Sequence, residues 1–475
     1  MARHAGMRAT EPAVANAHDH YISPDERRAE GKALRDAVPR ASHGGWKPPK
    51  ERRDSTDLLL ESNEGRVPEL IPIRFGRMAQ SPFAFFRGAA AVMAADLAST
   101  PQSGLRVQAC GDAHLLNFGA FATPERNVIF DINDFDETLP APWEWDVKRL
   151  TASVVIAARH IGLGDSDAAK AATDSACSYR ERMANYASMR ALDVWYDRID
   201  IEQLARELPD DEARARIEKR IQQRTEQARR KSAPEQLFPK LVEHHGSLPR
   251  IKDEPPLIFH PTEELAPGLK SGGYAEAFAL YRDSLPEHIG VLFDRFYLCD
   301  LAVKAVGVGS VGTQCSIALF MAADNDPLFL QVKEAKASVL EPYAGKSRHK
   351  NHGERVVAGQ RLMQSASDMF LGWTQGKTGR DYYIRQLRDV KISAIIEDWD
   401  VTLLRTYGKV CAWALARAHA RSGDAAKIAG YLGSNSTFDD AICEFAMEYA
   451  DQNERDYRGF IKAVREGRIK IVTET

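Results

Sequence analysis

Cysteine pairs at metal-ligand spacing are missing from this 475-residue sequence. Its six cysteines (Cys110, Cys177, Cys299, Cys315, Cys411, Cys443) are scattered, with no CxxC or CxxH arrangement. That excludes a zinc ribbon or a disulfide framework and predicts free thiols in a reducing cytoplasm. Long hydrophobic runs are missing too. No apolar stretch approaches the roughly 20 residues of a membrane span, and no hydrophobic region follows the N-terminal charges as in a secretory signal. A strong excess of one charge is also lacking: 64 basic residues against 67 acidic ones leave a net charge of −3. This argues against a nucleic-acid partner. The locally basic stretch at Arg214, Arg216, Lys219, Arg220 and Arg224 is interleaved with Glu212, Glu218 and Glu226 and has no aromatics for base stacking. It reads as a solvated, salt-bridged helix.

A hydrophobic fraction of 44% suffices for a packed core, and the length suggests two lobes. Residues 1–55 look like a mobile arm carrying one helix over 24–38, with order beginning near Leu58 to Leu60. Ser81 and Pro82 form a helix start ahead of an apolar face over 83–97. Arg74, Arg77 and Arg87 read either as surface charge or as phosphate contacts. Further amphipathic helices are expected over 147–161, 165–189 and 401–420. Prolines return over 248–267 and mark an irregular connector.

The densest chemistry lies in CGDAHLLNFGAFATPERNVIFDINDFDETLPAPWEWDVKRL, residues 110–150. Gly111 is a turn residue, directly followed by Asp112, His114 and Asn117. A short apolar strand, Val128 to Ile132, then delivers Asp131, Asp134, Asp136 and Glu137 at or beyond its end. Carboxylates and an amide oxygen at this density suit Mg²⁺, which completes its shell with water and phosphate. One Asp left free of metal can take a proton from an attacking hydroxyl. His114 and His419 read as hydrogen-bonded structural residues.

The second stretch, DLAVKAVGVGSVGTQCSIALFMAADNDPLFLQVKEA, covers 300–335. A strand enters a loop with Gly307, Gly309 and Gly312 in G-x-G-x-x-G spacing, and Ser310 sits among them. β-prone residues follow, so a hairpin is expected instead of a dinucleotide-binding helix. Glycines let loop amides approach phosphates closely, and Lys333 on the third strand can add a positive charge. Glu354, near the start of a helix over 353–368, is positioned to reach back to Lys333. A strand over 382–387 would follow.

Together these residues resemble the protein-kinase-like superfamily, above all the aminoglycoside and choline phosphotransferases with their HGDxHxxN loop. CGDAHLLN matches at Gly111, Asp112, His114 and Asn117, with Cys110 in place of the leading histidine. Asp134 matches that family's metal-binding Asp, with Asp131 the competitor. Asp146 in WEWDVKRL matches the Asp that opens the following helix. From about residue 55 the chain is also similar to an uncharacterised bacterial family (domain of unknown function 2252) marked by GDAHxxNFG and FDINDFDE.

The resemblance implies an α+β, bilobal kinase-like fold in circularly permuted order, because the catalytic loop precedes the glycine loop. A small antiparallel nucleotide lobe would occupy 296–395. The helical lobe would combine 56–295, with a charged helical insertion, and 396–475. The implied cofactors are ATP and Mg²⁺, the latter on Asn117 and Asp134. Asp112 would be the base for a hydroxyl-bearing acceptor, and Lys333, held by Glu354, would bind phosphates with the glycine loop. Two other readings stand beside this one. Asp134-Phe-Asp136-Glu-Thr138 resembles the DxDxT loop of haloacid-dehalogenase-like phosphatases, which needs a doubly wound parallel sheet. The third reading is a non-catalytic kinase-like module.

Overall fold

The computed structural model describes residues 22–472 apart from 202–203, 205–218, 220–221, 228–229, 231–233, 246–247, 256, 261–272, 305–311, 324–325 and 388–390. The architecture is mixed α+β. In chain order the strands are β1 (Arg106–Ala109), β2 (Phe118–Ala122), β3 (Val128–Ile132), β4 (Leu139–Pro142), β5 (Ile199–Asp200), β6 (Val242–His245), β7 (Leu248–Ile251), β8 (Ile258–Phe259), β9 (Tyr297–Lys304), β10 (Cys315–Met321), β11 (Pro327–Ala335), β12 (Gly372–Gln375), β13 (Asp381–Gln386) and β14 (Lys391–Ser393). They form a six-stranded sheet in the order β12-β13-β11-β10-β9-β8, a four-stranded sheet β14-β2-β3-β5, and the ribbons β1-β4 and β6-β7. Every strand pair among the described residues is antiparallel.

The six-stranded sheet is covered on both faces, which explains the near-continuous apolar runs of β10 and β11. Ile317 and Leu319 point to one side with Ile251 and Ile258. Ala318 and Phe320 point to the other, against Tyr281 and Phe293. That is the two-residue alternation of a strand, and each large side chain so buried contributes about 1.5–3 kcal/mol.

The main core lies among the helices Trp143–His160, Asp165–Tyr186, Val401–Ser422 and Thr437–Arg465. The first of these is buried on all sides from Trp143 to Ala158, although Glu144, Asp146, Lys148 and Arg149 lie on it. Buried charges demand partners, and two of them form part of the site described below. Among the described residues, no helix is long and apolar enough to cross a membrane.

Several expectations need correction. Residues 22–55 are not loose. Ser23 and Glu26 form a capping box on the helix Pro24–Ala37, and Trp46 packs on Phe445 and Tyr449. The helix expected over 83–97 is two helices, Pro82–Gly88 and Ala90–Leu97, broken at Ala89 where ψ is +33°. The proline-rich connector contributes β7 and β8. Most of the charged stretch over 195–235 lies outside the described residues.

Candidate functional site

A cavity of about 290 Å³ is lined by Asp112, His114, Asn117, Asp134, Asp136 and Glu137, by Thr313 and Lys336, and by Arg66, Arg74 and Arg87. It therefore joins the acidic stretch to the end of β11 and the turn before β10.

The first wall is the loop 110–117. Gly111 has φ +82°, and an added Cβ would meet the Glu137 carbonyl oxygen at 2.4 Å, so only glycine fits. Asp146, at the start of the buried Trp143–His160 helix, fastens this loop by accepting from the backbone N–H of Cys110 (2.6 Å) and of Gly111 (2.9 Å). His419 Nε2 lies 3.2 Å from the same carboxylate, and its Nδ1 is 2.8 Å from Tyr179 Oη. His114 caps the single turn Leu115–Asn117 by accepting from Leu116 N–H. Burial, with Arg87 and Arg149 nearby, pushes this imidazole well below its usual pKa, so it is neutral. Arg149 donates from Nε (2.8 Å) and Nη2 (2.6 Å) to Asp112 Oδ1; Oδ2 lies 3.9 Å from His114 Nε2. The Asn117 amide N–H donates to the Asp112 carbonyl at 2.7 Å, which leaves its Oδ1 for the cavity.

The second wall is the loop after β3. Lys333, 3% exposed, places Nζ 2.5 Å from Asp136 Oδ2 and 3.8 Å from Asp134 Oδ2. Tyr383, opposite Lys333 in the β11–β13 register, donates to Asp136 Oδ1 at 2.7 Å. Burial would push Asp136 up, but the Lys333 charge and hydrogen bonds hold it below its ordinary value. Burial and the neighbouring Asp136 push Asp134 up, against Lys333. The two acids hold Lys333 well above the usual range despite its burial.

Glu354 does not hold Lys333. Its side chain is 39% exposed and pairs with His349 Nδ1 at 3.3 Å. On the helix His352–Met363 it is the neighbouring Arg355 that turns inward. Arg355 donates to the carbonyls of Thr138 (2.6 Å), Asp136 (2.7 Å) and Lys336 (2.8 Å). That clamp ties the acidic loop to the end of β11.

Asp131 does not line the cavity either. It is 0% exposed, and Arg417 Nη2 donates to both its oxygens at 2.8 and 2.7 Å. Ser365 donates from N–H and Oγ. Gly307, Gly309 and Ser310 lie outside the described residues. Gly312 has φ +88°, accepts from Val67 N–H at 2.7 Å, and leads into Thr313 at the cavity.

Among the described residues, no group of three or more His, Cys, Asp or Glu is arranged to hold a metal ion. A dedicated cage is therefore absent there. The donors at hand, Asn117 Oδ1 and the under-compensated Asp134, suit Mg²⁺, which takes one or two protein oxygens and completes its shell with phosphate and water. Sequence reasoning missed Arg149, Arg355, Arg66 and Lys336. Their approach to the cavity depends on contacts between segments distant in the chain, which no local pattern reveals.

Fold and cavity thus define an α+β protein with an acid-lined, lysine-bearing cleft. Residues 66–463 match the family described as an uncharacterised protein conserved in bacteria (DUF2252), and the chain belongs to that family. No curated protein and no solved structure matches it.

Proposed function

We propose that this chain is an ATP- and Mg²⁺-dependent phosphotransferase of the kinase-like superfamily, circularly permuted, acting on a hydroxyl-bearing acceptor. One observation carries the reading. Asp112, Asn117 and Asp134 share a single cavity with the turn after Gly312, and Lys333 stands directly behind its acids. Bound Mg²⁺ would neutralise phosphate charge, and Asn117 and Asp134 would hold it. Lys333 and the N–H groups of the glycine turn would bind phosphate oxygens. Asp112 Oδ2 would take the acceptor's proton while Arg149 fixes Oδ1. The acceptor oxygen then bonds to the γ-phosphorus as the bond to ADP breaks. Six unpaired cysteines agree with a cytoplasmic setting.

The antiparallel sheets disfavour the phosphatase alternative. The Arg149–Asp112 pair favours a second reading, because a guanidinium on the base lowers its basicity; nucleotide binding without turnover would then be expected. Calorimetric titration with ATP and Mg²⁺, followed by incubation with cell extract and ATP labelled at the γ- or α-phosphate, tests these readings. Magnesium-dependent binding and γ-label transfer are expected. Transfer of α-label would mean AMP donation, and the absence of Mg²⁺-dependent binding would overturn the proposal.

A further inference from the structure

The cavity also has a basic wall, in which Arg74 hydrogen-bonds only neutral oxygens and Arg87 has Asp112 and Glu397 nearby but hydrogen-bonds neither. Arg74 is 2% exposed, and its guanidinium donates to Asn63 Oδ1 (2.6 Å) and the Gly88 carbonyl (3.0 Å), both neutral oxygens. Its Nε is buried with no partner. Arg87, the residue before Gly88 in the last turn of the helix Pro82–Gly88, also buries an Nε that has no partner. Arg355 and Arg417 also bury an unpartnered Nε, but neither lines the cavity; several buried guanidiniums have carboxylate partners. Arg52 is paired with Asp96 and Asp456, Arg149 with Asp112, and Arg417 with Asp131. Arg355 spends its donors on three backbone carbonyls. Leaving buried donors unsatisfied costs about 1–3 kcal/mol each, so a cavity walled by two such groups calls for an anion that approaches from the cavity side.

The position of this wall says which substrate brings the anion. Burial lowers the Arg87 pKa, and the nearby Asp112, the proposed base, and Glu397 offset part of that fall, while Arg74 lines the same cavity. Arg149 joins the two sides, donating to the Phe86 carbonyl beside Arg87 as well as to Asp112. Lys333 instead pairs with Asp136 and Asp134. We infer that Arg74 and Arg87 form an oxyanion subsite for the acceptor, so that the acceptor is a hydroxyl compound carrying a phosphate or carboxylate group. This rests on the phosphotransferase reading for the word acceptor, but the anion subsite itself does not.

The test uses the full chain and two probes, inorganic phosphate and a non-hydrolysable imido analogue of ATP with Mg²⁺, titrated calorimetrically. Arg87→Gln removes no hydrogen bond within the protein, and Arg74→Gln serves as the buried counterpart; circular dichroism checks the fold of both. Phosphate should bind the native chain whether or not the nucleotide analogue is saturating. Each substitution should weaken phosphate by roughly 10- to 100-fold, the loss of a charge-assisted hydrogen bond, while the nucleotide affinity changes far less. Competition between phosphate and the analogue, or an equal loss of both affinities in Arg87→Gln, would assign the arginines to the nucleotide tail and overturn the inference. So would an absence of phosphate binding. If phosphate binds as expected and the analogue never does, the subsite stands and the phosphotransferase reading fails.

Discussion

Replacing Lys333 with Met tests the charge arrangement at the centre of the cavity. Its ammonium neutralises Asp136 at 2.5 Å and Asp134 at 3.8 Å from an almost fully buried position. At an effective dielectric near 20 a pair at about 4 Å attracts by about 4 kcal/mol, before the cost of desolvation is subtracted. Removing one partner of a buried pair leaves the other uncompensated and typically destabilises by about 3–5 kcal/mol. Against a total stability on the order of 5–15 kcal/mol, urea unfolding should show a large drop. Adding Asp136→Asn should recover part of it, with a coupling of about 1.5 kcal/mol or more in the double-mutant cycle. Mg²⁺ should then stabilise Lys333→Met more than the native chain, because a cation on Asp134 takes over the lysine's role. At 100 times the dissociation constant, linkage gives about 2.7 kcal/mol. A Lys333→Met protein as stable as the native one, with additive mutations, would refute the reasoning.

Asp112→Asn should cut turnover by roughly 10²–10⁴-fold while nucleotide affinity, read by calorimetry, holds; equal losses of both would remove Asp112 from the base role. Asp134→Asn should abolish the Mg²⁺ dependence of nucleotide binding. Asp131→Asn should instead cost about 3–5 kcal/mol in urea unfolding by stranding Arg417, with the Mg²⁺ dependence retained; the opposite pattern would exchange their roles. Burial pushes the Glu137 carboxyl up from 4.5 to about 7, with Asp136 and Asp112 adding to it. The folded chain therefore holds this proton more tightly than the unfolded chain. Its stabilising contribution is complete below pH 4.5 and is lost as pH rises through about 7. The difference in unfolding free energy between the native chain and Glu137→Gln should fall across that window, and a flat difference would contradict the assignment.

Much of the site could be read from local sequence, because its chemistry is concentrated in two short stretches. Gly111, Asp112, Asn117 and Asp134 are close in sequence, and the strand bearing Lys333 has an unmistakable apolar run. What could not be read was phase. β3 is buried on both faces, so polarity does not reveal which side Asp131 takes, and it turns toward Arg417 instead of the cavity. Successive residues on a helix differ by about 100°. That single step exchanges Glu354, which faces His349, for Arg355, which clamps the acidic loop. Residues 22–55 look loose because their support, Phe445, Tyr449 and Tyr431, comes from the far end of the chain.

The buried Trp143–His160 helix explains why so much charge is tolerated beside the cavity. Asp146 and Arg149 are three residues apart and therefore share a face. One carboxylate holds the backbone at Cys110 and Gly111, and one guanidinium holds the side chain of Asp112. Loop and carboxylate are thus referenced to the same rigid element, with Asp146 further fixed by His419 and Tyr179. Preorganised groups of this kind need no rearrangement when charge develops next to them. Lysine, arginine clamp and acids on the opposite wall depend instead on β11 and the His352–Met363 helix. The relative placement of these two supports, more than any single side chain, sets the geometry available to a substrate in the cleft.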